Sequence, residues 1–141
     1  MNKGFTLLEA LVALAIVAML TGVCGTALMA ALPGAEMDRA ARTIVSMCRH
    51  ARFEAIKRNE QIRFQCDMAQ SVCETRVRSD NALLRRFDLA GLRDHVAPVR
   101  SFTTHYTPLG RATLAGTVTL RNSSGLSRTV TIRLSGSVVT Q

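Results

Sequence analysis

Tryptophan is absent from this chain and tyrosine occurs once, at Tyr106, which leaves a stacking platform for single-stranded nucleic acid poorly supplied. Lysine is nearly missing too, with only Lys3 and Lys57, so arginine carries the positive charge. There is no glycine-rich phosphate loop and no nucleophile elbow. His50, His95 and His105 are scattered without zinc-like spacing; His50 and His105 read as structural or surface residues. These absences argue against an enzyme, and neither a cofactor nor a metal is expected. Internal repeats and low-complexity linkers are also lacking. The longest absence is of charge, because no charged side chain occurs from Ala10 to Ala35.

That uncharged stretch exceeds the roughly 20 helical residues needed to cross a bilayer core of about 30 Å. Lys3 lies just before it, and the positive-inside rule then puts the N-terminus in the cytoplasm and exports the rest. Glu9 stands near the start of the apolar run. A carboxylate deep in such a helix costs up to ~2.5–3.5 kcal/mol unless paired or protonated. A secretory signal would place its small-residue cleavage site after the apolar stretch. Here the small residue beside a polar leader, Gly4, precedes it.

The order Met1-Asn2-Lys3-Gly4-Phe5-Thr6-Leu7-Leu8-Glu9 resembles the type IV pilin signature. The resemblance implies that prepilin peptidase cuts after Gly4 and methylates Phe5, the first residue of the mature chain. It also implies that Glu9 is the acidic residue used in filament assembly. The α-amine of Phe5, in the same or a neighbouring chain, would be a natural partner for it. Three segments follow: a leader over residues 1–4, a transmembrane and filament-core helix over 5–35, and an exported globular domain over 36–141.

The exported part holds about a hundred residues, enough for one modest core. Formal net charge is +8, and every basic residue except Lys3 belongs to this domain. Such charge suits an anionic partner, whether nucleic acid, lipid headgroups or an acidic protein face, and equally serves solubility and salt bridging. Cys24 in the span and Cys48 in the following helix read as small buried apolar residues. Cys66 and Cys73 flank a polar turn between two strand-like runs. In an exported domain they close a hairpin by a disulfide or remain two free thiols, and compartment and spacing favour the bond.

Pro33-Gly34 is expected to kink the apolar helix or mark its membrane boundary. Beyond it, Glu36 to Asn59 reads as helix, with Met37, Ala40, Ala41, Ile44, Val45, Met47, Cys48, Ala51, Ala55 and Ile56 recurring at three- and four-residue steps. Glu36 and Asp38 at its start and Lys57 and Arg58 at its end match the helix dipole. From Gln61 the period changes to two. Gln61–Cys66 and Val72–Arg78 form an expected hairpin, and Leu83–Leu89 and Val99–Thr107 are further strands. Thr117–Arg121 is expected to pair with Arg128–Leu134, with a last short strand over Ser137–Thr140. The fold class is therefore α+β, a long N-terminal helix packed on a C-terminal antiparallel sheet.

Ala51-Arg52-Phe53-Glu54-Ala55-Ile56-Lys57-Arg58-Asn59, leading into a strand that ends at Cys66, is similar to the FimT/GspH family of minor pilins and pseudopilins. Phe102 to Ala112 is similar to that family's phenylalanine-to-glycine segment. The resemblance implies a pilin-like fold and a minor subunit of a type IV pilus, placed near its tip, or of a type II secretion pseudopilus. Its partners would be other pilins, prepilin peptidase and the inner membrane, from which it would pass into a periplasmic or surface filament. Some FimT proteins bind DNA through a C-terminal Gly-Arg-x-Arg motif; here the stretch reads Gly136-Ser137-Val138-Val139, without both arginines. Arg111, Arg121, Arg128 and Arg133 remain candidates for a basic DNA-binding patch. Alternation along the last hairpin puts Arg128 with Val130 and Ile132, and Arg133 on the solvent side.

Overall fold

In the computed structural model, residues 7–92 and 95–141 are described, those of 22–33 in backbone course only. One helix, α1, runs Leu7–Arg58. The chain divides between Pro33 and Gly34 into two units. Pro33 lies inside α1 and does not end it. What ends it is Asn59, whose φ of 56° lies in the left-handed region. The Glu60 amide donates to the Ala55 carbonyl at 3.2 Å and the Asn59 amide to Ile56 at 3.4 Å, the paired closure of a left-handed helix stop.

The buried core of the described residues lies in the unit from Gly34 onward. The helix stripe from Met37 to Ala55 is buried as its three- and four-residue spacing demands. Two positions qualify that pattern. Ile56, expected inside, is 52% exposed; its side chain lies at the rim of the core against the Gly110 turn. Glu54 follows that spacing, three residues after Ala51 and seven after Met47, but places a carboxylate in the buried stripe. Arg58 Nε donates to its carboxylate at 2.6 Å, and His50 Nε2 lies 3.9 Å away. The Arg58 hydrogen bond holds the Glu54 carboxyl below its usual range.

The β region is two antiparallel four-stranded sheets, where a single sheet is expected from the sequence. β1 (Ile62–Asp67), β2 (Val72–Val77), β3 (Leu83–Asp88) and β5 (Phe102–Tyr106) form the first, in the order β3-β2-β1-β5. β4 (Ala97–Pro98), β6 (Gly116–Arg121), β7 (Ser127–Ile132) and β8 (Val138–Thr140) form the second, in the order β4-β6-β7-β8. The expected strand over Val99–Thr107 is thus shorter, and the two-residue β4 before it joins the other sheet. Ala112 links the sheets: it bridges to Tyr106 and donates its amide to the Leu134 carbonyl at 3.1 Å.

Period-two alternation decides which side chains enter the core. Ile62, Phe64 and Cys66 of β1 are buried, as are Cys73, Thr75 and Val77 opposite them on β2. Cys66 and Cys73 are directly paired and joined by a disulfide. On the second sheet Val118, Leu120, Val130 and Ile132 point inward, while Thr117 and Thr119 face Thr131 and Thr129 across the outer side. Phe102 packs on Gly116, where an added Cβ would lie 2.3 Å from the ring.

Candidate functional site

Two regions carry features that folding alone does not require. The first is the start of α1. Gly4 and Phe5, the expected cleavage and methylation positions, lie outside the described residues, as does the side chain of Cys24. Glu9 sits in the first turn, where the positive end of the helix dipole favours a carboxylate. Around it the described side chains through Thr21 are all exposed; Leu7 is 81% and Leu14 70% exposed. An apolar helical surface of this extent calls for lipid or partner helices. Among the described residues no helix is long and apolar enough to cross a membrane; the expected span over 5–35 includes positions outside them.

The second region lies where the end of α1 meets two tight turns. Gly110 (φ 73°) closes the turn after β5, its amide donating to Thr107 O at 2.8 Å. Gly136 (φ 78°) closes the β7–β8 turn, donating to Arg133 O at 2.9 Å. The two turns touch, since a Cβ on Gly136 would lie 2.1 Å from the Gly110 carbonyl oxygen. Arg52 lies along the same seam, its Cδ 3.4 Å from that position. Beside it a groove of about 420 Å³ runs between Arg49, Arg52, Phe53 and Ile56 on the helix and Gly136 and Val138 on the turn.

Gly136 is therefore glycine for two independent reasons, conformation and contact. Gly136→Ala should destabilise the domain by at least about 1–2 kcal/mol, the cost of a left-handed side chain alone, with the steric clash added. Denaturant midpoints of the two proteins would measure it. A loss below about 0.5 kcal/mol, the level of a neutral surface change, would show that the seam yields.

The four arginines proposed as a basic patch are not brought together. Arg121 and Arg128 lie at the β6–β7 hairpin end, and Arg111 and Arg133 lie near the opposite end of the second sheet. Five residues along a strand separate those ends by roughly 17 Å. Arg128 is also committed, since its Nε donates to Asp38 Oδ1 at 2.7 Å. Its register with Val130 and Ile132 is the one alternation implies, and Arg133 is exposed.

Sequence reasoning missed the groove. The signal was present in part, since Gly110 and Gly136 are both single glycines at turns, but their contact joins residues far apart in the chain. Other polar groups stay local. His105 faces Arg63 across the first sheet, and partial burial, with Arg78 and Arg63 nearby, lowers its pKa. Cys48, buried, faces Tyr106, and desolvation pushes its thiol up to about 12. Among the described residues no three His, Cys, Asp or Glu side chains gather as a metal site.

Comparison with known families matches residues 40–137 to the family described as type II transport protein GspH. Residues 1–25 match the prokaryotic N-terminal methylation motif. No curated protein matches the chain. Among solved structures, two crystal forms of the type IV minor pilin FimU from Pseudomonas aeruginosa strain PAO1 are similar. One has a TM-score of 0.58 at 19% identity, covering 74% of this chain and 91% of that one. The other has a TM-score of 0.60 at 21% identity, covering 77% and 90%. At such identity the likeness is one of fold, a helix packed on antiparallel sheet.

Proposed function

The chain belongs to the GspH family of type IV minor pilins and pseudopilins, and from that membership we propose that it is a FimT-like minor subunit of a type IV pilus, acting near the filament tip. Prepilin peptidase removes residues 1–4 and methylates Phe5. The segment 5–35 first anchors the chain in the inner membrane, with the domain 36–141 in the periplasm, and then enters the filament core. The observation that carries this reading is the methylation motif running into a helix that exposes apolar side chains from Leu7 onward with Glu9 in its first turn. Lipid satisfies such a surface before assembly and neighbouring helices satisfy it afterwards. Glu9 then acts as an assembly contact, in which a desolvated carboxylate gains from the α-amine of Phe5 on an adjacent subunit.

Shearing pili from cells that express the full chain tests the proposal. The mature chain should appear in the sheared filaments. Glu9→Leu should leave membrane insertion unchanged and lower incorporation at least about tenfold, equivalent to 1.4 kcal/mol. Equal incorporation would remove the carboxylate from assembly. A second reading, a minor pseudopilin of type II secretion, is favoured by the description of the family that covers residues 40–137. In that case loss of the chain would impair protein secretion and leave piliation intact. The dispersal of Arg111, Arg121, Arg128 and Arg133 gives a DNA-receptor role no comparable support.

A further inference from the structure

The arginines of the exported unit fall into two groups. Arg58, Arg76, Arg86 and Arg128 are neutralised by carboxylates, and Arg63 and Arg78 donate to the side-chain amides of Asn81 and Gln61. Arg85 donates to Ser46. Among the described residues Arg39, Arg42, Arg100 and Arg121 make no ion pair or side-chain hydrogen bond and lie elsewhere on the unit, whereas four more such guanidinium groups, those of Arg49, Arg52, Arg111 and Arg133, gather in one place. All four lie at or beside the Gly110–Gly136 seam. There they surround apolar side chains left in water: Phe53 is 60%, Ile56 52% and Leu109 83% exposed. Uncompensated positive charge and exposed apolar surface thus coincide on a floor held by two touching turns.

We propose that the groove between the last turns of α1 and the β7–β8 turn is a docking site for an acidic, apolar segment of a different subunit of the same filament. The proposal rests on the reading of this chain as a filament subunit. Charge complementarity selects the occupant. Carboxylates would meet Arg49 and Arg52, and apolar side chains would cover Phe53, Ile56 and Leu109, a mixed composition typical of protein interfaces. A bilayer surface fits poorly, since Ile56 lies roughly 30 Å along α1 from Gly34 at 1.5 Å per residue. Nucleic acid fits poorly because the exposed apolar groups are mainly aliphatic and offer little to stack on.

A second copy of this chain fits poorly as well. Its carboxylates are largely engaged: Glu54, Glu74 and Asp38 hold arginines. Asp67, Asp80 and Asp88 accept from backbone amides of their own turns. Glu60 accepts from Ser79. With its carboxylates mostly held in its own turns and ion pairs, this chain is a poorer source of an acidic segment than a different subunit.

A photo-crosslinking residue at Leu109 of the full chain, in cells that assemble filaments, tests this. The expected adduct joins Leu109 to another filament subunit, at a peptide with Asp or Glu beside apolar residues. Arg49→Glu with Arg52→Glu should reduce its yield about tenfold or more, while Cys66–Cys73 formation reports that the domain still folds. Should that pair fail to fold, Arg49→Gln with the crosslinker kept at Leu109 provides the same reading. An adduct with a second copy, with lipid or with nucleic acid overturns the proposal, as does the lack of any adduct when the chain is present in sheared filaments. Absence of the wild-type chain from filaments overturns the subunit reading and this docking site with it.

Discussion

Tyr106→Ala is expected to destabilise the exported domain by about 3–5 kcal/mol, the range for emptying a large aromatic position in a core. Tyr106 is completely buried, pairs with Ile62 on β1 and bridges Ala112, the residue that joins the two sheets. Its loss would open a cavity at that junction, and the interior can collapse only partly around it. Tyr106→Phe should behave very differently. The buried hydroxyl has no nitrogen or oxygen partner, so removing it should change stability by less than about 1 kcal/mol, in either direction. Urea unfolding of residues 34–141, which contain the core found among the described residues, would separate the two. Similar losses for both variants would mean that the hydroxyl, and not the ring volume, is what the core needs.

Tyr106 and Cys48, which face each other in the core, carry a pH signature. Burial raises the Tyr106 hydroxyl and lifts the Cys48 thiol to about 12. An unfolded thiol ionises near 8.5, so the unfolded chain loses its proton first. This contribution to stability is present below that range and is lost as pH rises through it toward the folded value.

Gly4→Leu should abolish processing, leaving residues 1–4 attached and Phe5 unmethylated, on the pilin reading. Gly4, the smallest residue, stands directly before the apolar run, and on that reading a branched side chain there would obstruct the peptidase at the bond to be cut. Intact-mass spectrometry of the membrane fraction would find the full-length chain, and sheared filaments would lack it. Because an uncut polar leader would have to be buried with the helix, the effect on assembly should be essentially complete. A normal N-terminal methyl-phenylalanine in this variant would refute the assignment of the site.

Much of the domain was legible in advance because its signals are local. Met37 to Ala55 announce one buried helix face by spacing, and Ile62, Phe64 and Cys66 announce one face of a strand. Cys66 and Cys73 flank a turn short enough to put them opposite each other, and they are bonded. Local periodicity misjudged Ile56, since a helix end meets loops as well as sheet. Ile56 lies at the rim of the core against the Gly110 turn, while Arg58 lets Glu54 enter the core. It could not divide the strands into two sheets either. β4 and β5 are neighbours in sequence yet join different sheets, a choice made by pairing with distant strands.

The long apolar N-terminus with Glu9 near its start, the amphipathic helix, the strand alternation and the excess of arginine can all be read from local order along the chain. Each is written in neighbouring residues, and backbone geometry converts such spacing directly into a face. Which arginines are spent and which stay unpaired is settled by contacts made across the folded domain. Arg128 finds Asp38 ninety positions away, while Arg52 meets Gly136 across a seam. Ion pairing and groove formation depend on distance in space, which a chain acquires only when its core closes.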